Sequence, residues 1–269
     1  MSDRQQLERA IVRAPAMNFA EGLTTGEFGI PDYGKAVKQH EAYCEALERC
    51  GLTLTRLGSE DEYPDSTFVE DTAVIPESFP ERAQRKAAIL TRPGAPSRAG
   101  EVVSIAQVLS QFCPDLRSIE EPGTLDGGDV CEAGNHFFIG ISARTNESGA
   151  EQLARLLDSF NYTSSFIDIR GLDNLLHLKS GLSYLGNNRL AVIESLAAHT
   201  DFRSYELVRV TASEQYAANC VRVNDYVLIA AGYPEFEKTL SQLGHKTIAL
   251  EMTEFQKMDG GLSCLSLRF

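Results

Sequence analysis

Four residues of kinds that carry covalent chemistry stand at matching places along the chain: Asp71, Asp126, His177 and Cys264. A cysteine thiolate is a nucleophile, an imidazole exchanges protons near neutrality, and a carboxylate beside the imidazole can orient it and favour its charged form. Each leads a β-rich run, and with Asn219 they are spaced by 55, 51, 42 and 45 residues. Taken singly, each has a plain structural explanation. A strand cysteine is usually a small buried hydrophobe, and His177 between Leu176 and Leu178 resembles a hydrogen-bonded core histidine. Asp126 and Asp129, beside paired glycines, look like turn formers. Their coincident placement in separate repeats favours a shared site, with Cys264 as nucleophile, His177 as acid/base and Asp126 as its orienting carboxylate.

The positioning elements are hairpins. Asp126 opens DGGDVCEAGNHFFIGIS, turning at Gly134-Asn135; His177 opens HLKSGLSYLGNNRLAVI, turning at Gly186-Asn187-Asn188; Asn219 opens NCVRVNDYVLIAAG, turning at Asn224-Asp225. Gly, Asn and Asp tolerate the positive φ such turns demand. A partial version begins at Phe68-Val69-Glu70-Asp71, with Ala87-Ala88-Ile89-Leu90 as the returning strand after a longer loop. The last begins at Gly260-Gly261 and runs through Cys264 to Leu267, and the N-terminal run Arg9-Ala10-Ile11-Val12 can complete it.

Helical periodicity fills the intervals: 35–50 with Gly51 as a left-handed stop, 101–112, 148–160 opened by a Ser148…Glu151 capping box, and 235–243 stopped by Gly244. Repeats of this period, each roughly hairpin plus helix, suggest a closed ring of five αβ units, whose inner strands would gather their leading residues at one mouth. An ordinary α+β domain with recurrent hairpins is the alternative.

Composition narrows the class. The 269 residues are 43% apolar and 23% charged, as in a globular protein. Lys and Arg number 25 against 38 Asp and Glu, a formal net charge of −13 without basic clusters, which disfavours nucleic acid. No run approaches the roughly 18 apolar residues of a membrane span, and the N-terminus has no apolar signal core. The six cysteines are read as reduced thiols, which points to the cytoplasm. Without CxxC, HExxH or a GKS/GKT loop, zinc-finger, zincin and P-loop chemistry drop out.

Seven ordered words then identify a family: Phe68-Val69-Glu70-Asp71, Thr91 to Arg98, Leu125-Asp126-Gly127-Gly128-Asp129-Val130, Ser142-Ala143-Arg144-Thr145-Asn146, Leu176-His177-Leu178-Lys179-Ser180-Gly181, Ala217-Ala218-Asn219-Cys220 and Met258-Asp259-Gly260-Gly261-Leu262-Ser263-Cys264. From about residue 8 to the C-terminus, the chain closely resembles the dimethylarginine dimethylaminohydrolases of the guanidino-group-modifying (pentein) superfamily. The resemblance implies a five-bladed α/β propeller, a single catalytic domain over 1–269. It also implies cofactor-free hydrolysis of Nω-methylated arginines to citrulline plus methylamine or dimethylamine. By motif, the nucleophile falls on Cys264, the acid/base on His177 and its carboxylate on Asp126. Asp71 with Glu70 would hold the guanidinium, Arg98 and Arg144 the α-carboxylate, Asp65 and the Leu23 carbonyl the α-ammonium; the Met258 carbonyl would face the ligand. Whether the 22–33 stretch, with Gly22, Gly26, Gly29 and Pro31, is a lid carrying Leu23 is left open by the sequence.

Rival expectations share the fold. Hydrolysis of unmethylated arginine, or of another guanidino or ureido compound, uses the same thiol chemistry, although arginine deiminases generally carry an added helical domain for which this chain has no room. A non-catalytic binding propeller would not need Cys, His and acid together. A metal site on Cys264 and His177 lacks further soft ligands, so none is expected. The expected partner is a small-molecule substrate, and a homodimer follows from family habit only.

Overall fold

The computed structural model describes residues 6–76, 86–172 and 175–269. Strand β1 (Arg9–Arg13) crosses through helix α1 (Tyr33–Arg49) to the parallel strand β2 (Thr53–Leu57). Next come β3 (Ala73–Val74), antiparallel to β4 (Ala87–Leu90), then α2 (Glu101–Leu109) and β5 (Asp115–Ser118), parallel to β4. The pattern repeats in β6 (Val130–Ala133), β7 (His136–Ile141), α3 (Glu147–Asp158) and β8 (Thr163–Asp168). It repeats again in β9 (Leu182–Gly186), β10 (Arg189–Ile193) and β11 (Glu206–Val210). The fifth set is β12 (Val221–Val223), β13 (Tyr226–Ala230), α4 (Pro234–Gln242) and β14 (Lys246–Leu250).

Finally β15 (Leu267–Arg268) lies antiparallel to β1, with Ala10 opposite Arg268, so the two ends of the chain complete one sheet. Among the described residues the result is five three-stranded sheets of one topology, the five-bladed α/β propeller expected from the repeats. Central strands such as β10 and β13 are buried from their second residue onward, which suits continuous apolar runs like Leu-Ala-Val-Ile. Outer strands such as β2 stay partly exposed and mix polar with apolar side chains.

The hairpin turns use the residues singled out by type: Gly186, Asn187 and Asn188 have φ of 83°, 51° and 61°, and Asn224 has 51°. Much of the longer loop expected between β3 and β4 lies outside the described residues.

Two expectations need correction. The fourth unit has no α-helix between β10 and β11; that connection, 194–205, is short and contains one 3₁₀ turn, Thr200–Phe202. Phe202 fills the space instead, packing edge-on against Phe138 with ring centroids 5.0 Å apart. Such a pair adds about 0.5–1.5 kcal/mol beyond area burial. Helix α3 starts ahead of the Ser148…Glu151 box because Asn146 caps it, its side chain accepting from the Gly149 N–H at 2.8 Å. Cys44, Cys50, Cys113, Cys131 and Cys220 are buried free thiols; Cys264, also free, is only partly covered. No helix among the described residues is long and apolar enough to cross a membrane.

Candidate active site

The chemistry-bearing residues sit on or beside short 3₁₀ turns just before the inner strands, not within the strands themselves. Asp71 lies in the turn Val69–Thr72, Asp126 caps Gly127–Asp129, His177 caps Leu178–Ser180, and Cys264 lies in Ser263–Leu265. Each turn bends the backbone so that a polar residue faces the middle of the ring while the following strand stays in its sheet. Close approach there demands glycine. A Cβ on Gly128 would stand 2.7 Å from His177 Nδ1 and 2.8 Å from Asp71 Oδ1, too near for any side chain.

One pocket is lined by Asp71, His177 and Cys264 together with Asp65, Arg98 and Arg144; Leu23 and Met258 also border it. His177 Nε2 is 3.0 Å from Asp126 Oδ2, and the other Asp126 oxygen accepts from the Gly94 N–H at 2.8 Å. Asp71 Oδ1 accepts from the Gly128 N–H at 2.9 Å, and Oδ2 takes Arg98 Nη1 at 2.5 Å. Ligand atoms of Asp71, Asp126 and His177 all lie within 4.8 Å of one another, close enough in principle for a cation. Each Asp71 oxygen already accepts one hydrogen bond and keeps a lone pair for one further donor.

Electrostatics separates the proton affinities of thiol and imidazole. Burial opposes charge on His177, but Asp71, the Asp126 hydrogen bond and Asp129 outweigh it and raise the imidazole to about 9. Burial, followed by the negative charges of Glu70 and Asp71, pushes the Cys264 thiol up to about 12, against a weaker pull from the Gly261 N–H. At neutral pH the unliganded site therefore holds an imidazolium and a neutral thiol.

Not every residue picked from sequence reaches this pocket in the expected way. Glu70 does not line it: its carboxylate turns to Lys179 Nζ at 2.6 Å, Ser263 Oγ at 2.6 Å and Arg268 Nη2 at 3.3 Å, on the wall of a second cavity. Neighbouring residues on a tight turn point apart, so the Glu70–Asp71 pair is divided between the two cavities. Arg98 reaches the pocket, but its guanidinium is buried and shared between Asp71 and Glu101, with Nη2 to Glu101 Oε2 at 2.7 Å. Sequence reasoning passed over Glu101, although an acid three residues after Arg98 at a helix start was a readable sign of pairing.

Arg144 is half-buried, and Asp65 accepts the Leu23 N–H on both oxygens at 3.1 Å. The 22–32 stretch has no regular secondary structure; Thr25 donates its N–H to Asp259 at 2.5 Å and Thr24 its hydroxyl to the Lys257 carbonyl at 2.9 Å. Asp129 braces the turns, accepting from Ser142 Oγ and Thr145 Oγ1 at 2.6 Å each and from the Leu178 N–H at 3.0 Å.

No protein-family model matches the chain. It is 40% identical over 260 residues to the N(G),N(G)-dimethylarginine dimethylaminohydrolase of Pseudomonas aeruginosa, covering 96% of this chain and 98% of that one. The enzyme of the same name from Streptomyces coelicolor is 33% identical over 263 residues, covering 97% and 96%. Among solved structures, a cysteine-to-serine variant of the Pseudomonas enzyme in complex with citrulline superposes with a TM-score of 0.92 at 39% identity, covering 98% of this chain and all of that one. The N-terminal domain of a cyanobacterial arginine dihydrolase superposes at 0.84 over 98% and 97% of the two chains, but at 17% identity, a likeness of fold alone. With near-complete coverage at 40% identity, the chain belongs to the dimethylarginine dimethylaminohydrolase family.

Proposed function

We propose that this protein hydrolyses Nω-methylated arginines to citrulline and methylamine or dimethylamine through a covalent intermediate on Cys264. The observation that carries this reading is a pocket lined by Cys264, His177 and Asp71 together in a chain of this family. A guanidinium is resonance-stabilised, so water attacks it slowly; a thiolate fixed opposite its carbon reacts far faster. Asp71 holds the flat cation by charge-assisted hydrogen bonds. As the guanidinium binds, the Cys264 thiol gives its proton to solvent; the sulfur adds to the guanidino carbon, the C–N bond to the methylated nitrogen breaks, and the His177 imidazolium protonates the departing amine. Water then adds to the thiouronium carbon as His177 takes its proton, and the C–S bond breaks to release citrulline. Asp126 keeps the imidazole oriented and charged; positioned proton transfer of this kind contributes about 10²–10⁴-fold.

Arg144, with Arg98 behind it, meets the substrate's α-carboxylate, while Asp65 and the Leu23 carbonyl receive its ammonium and the Met258 carbonyl faces the bound side chain. Glu70 supports the site from beneath. The five units act as one catalytic domain without cofactor or resident metal. The six free thiols support a reducing, cytoplasmic setting, and family habit supports a homodimer.

The test is citrulline production from asymmetric dimethylarginine, monomethylarginine, arginine and agmatine. Turnover confined to the methylated substrates supports the reading. Equal or better turnover of arginine makes the protein a deiminase on the same scaffold, and silence on all four overturns the assignment.

A further inference from the structure

Asn219 leads the fifth inner strand, at the place in its unit that Asp126 and His177 hold in theirs, yet the reaction gives it no chemical part. Its buried side-chain amide is fully engaged. Oδ1 accepts the Ser263 N–H at 3.0 Å; Nδ2 donates to Ser263 Oγ at 3.1 Å and to the Lys179 carbonyl at 2.9 Å. Ser263 Oγ in turn donates to Glu70 Oε2 at 2.6 Å, and Glu70 Oε1 takes Lys179 Nζ at 2.6 Å. Asn219, Ser263, Glu70 and Lys179 thus form a closed ring of polar contacts. Each of the other three is a near neighbour in sequence of a pocket residue: Ser263 precedes Cys264, Glu70 precedes Asp71, and Lys179 follows His177 by two.

The neighbouring glycine shows how closely Asn219 is fitted. A Cβ on Gly261 would stand 2.5 Å from both Cγ and Oδ1 of Asn219, so only glycine admits the amide at that point. The Gly261 N–H points at Cys264 Sγ, 3.4 Å away. Tyr216, three residues earlier, adds a second tie by donating its hydroxyl to the Gly260 carbonyl at 2.8 Å. The turn bearing the nucleophile is therefore gripped at Gly260, Gly261 and Ser263 by residues of a different unit.

We infer that Asn219 is a positioning residue, which sets the direction of Cys264 Sγ through Ser263 and Gly261 and ties the nucleophile's turn to the turns bearing His177 and Asp71. The inference rests on the proposed thiol chemistry of Cys264, and deepens it. A misplacement of about 1 Å by a change away from the reacting atoms can cost about 10²-fold in rate. Asn219→Ala should therefore lower kcat by about 10²-fold while KM moves within about threefold, because no substrate contact is lost.

A purely structural role would leave the sulfur's own reactivity unchanged. With Asn219 gone, Gly261 is free to move and its N–H no longer steadies the thiolate. Alkylation of Cys264 by iodoacetamide, read on its own peptide by mass spectrometry, should slow at every pH from about 7 to about 10. Should Asn219→Ala fail to fold by circular dichroism, Ser263→Ala, which removes one hydroxyl from the same ring, should shift kcat and alkylation in the same direction. Wild-type kcat within about threefold, or a lowered kcat with unchanged alkylation, overturns the inference. The alkylation comparison needs no turnover, so it decides the matter even if the wild type leaves every guanidino compound untouched, an outcome that would instead overturn the proposed reaction.

Discussion

Binding of a cation should make the nucleophile. In the unliganded site the thiol stands at about 12, so at about pH 7 only about one molecule in 10⁵ carries a thiolate. Burial is the largest cause, followed by the negative charges of Glu70 and Asp71. A guanidinium held by Asp71 brings a positive charge close to the sulfur. At about 4 Å and an effective dielectric of about 20, that charge is worth about 4 kcal/mol. At ~1.36 kcal/mol per tenfold change, the thiolate fraction rises about 10³-fold. The thiol then gives up its proton to solvent far more readily than in the free site.

The assay is a titration of thiolate ultraviolet absorbance in the free protein and with saturating L-lysine, whose ammonium supplies the charge but no carbon to attack. L-norleucine, of similar length and uncharged at its end, is the control, and Cys264→Ser supplies the baseline. Lysine should move the Cys264 midpoint to lower pH and norleucine should not. An unchanged midpoint with lysine, or a thiolate already formed at neutral pH in the free protein, would refute the reasoning.

Other consequences follow from the same geometry. Wild-type activity should fall as pH rises through about 9, where His177 gives up its proton, and Asp126→Asn should move that limb to lower pH and reduce kcat by about 10²–10⁴-fold. A pH–rate profile of the two proteins reads both effects. Arg144→Ala should raise KM for dimethylarginine by about 10–10²-fold, the loss of one charged hydrogen bond, while agmatine, lacking the carboxylate, should compete as well as before. Asp71→Asn leaves the buried Arg98 with Glu101 as its one carboxylate partner, and should cost about 3 kcal/mol in denaturant unfolding near neutral pH. Arg98 and His177 outweigh burial and hold the Asp71 carboxyl below its ordinary 3.8. Its stabilisation is therefore present above about 3.8 and lost as pH falls through about 2, so the gap between wild type and variant should close on acidification.

The fold was legible because left-handed backbone is chemically restrictive. Asn187, Asn188 and Asn224 mark turns few other residues accept, and they frame runs of apolar residues too short for helices. Once these three hairpins and the partial one at Phe68 are counted, the unpaired run at Arg9–Val12 and the unpaired end at Leu267 require one another, and the structure joins them. Unit four was less readable. The missing helix is a matter of connection length and of an aromatic contact between Phe138 and Phe202, which sequence spacing does not reveal.

At the site, residue types indicated a shared chemistry, and His177 and Asp126 lie within hydrogen-bond distance. Direction was the harder quantity. Glu70 and Asp71 are adjacent and chemically alike, but one answers to Ser263, 193 residues away, and the other to Arg98. No local pattern carries that information, because partners this distant in sequence are chosen by the closure of the ring. Asn219 was visible as a leading residue and silent as to role, since its significance lies in the backbone it holds.

The most direct test of the central claim is to capture the intermediate. Wild-type protein turning over dimethylarginine, quenched in acid and digested, should carry the added amidino amino acid on the Cys264 peptide alone, with one dimethylamine released for each adduct formed. His177→Ala should still bind substrate but accumulate no adduct, lacking the acid that expels the amine. An adduct on any other residue, or steady citrulline production from Cys264→Ser, would contradict the account.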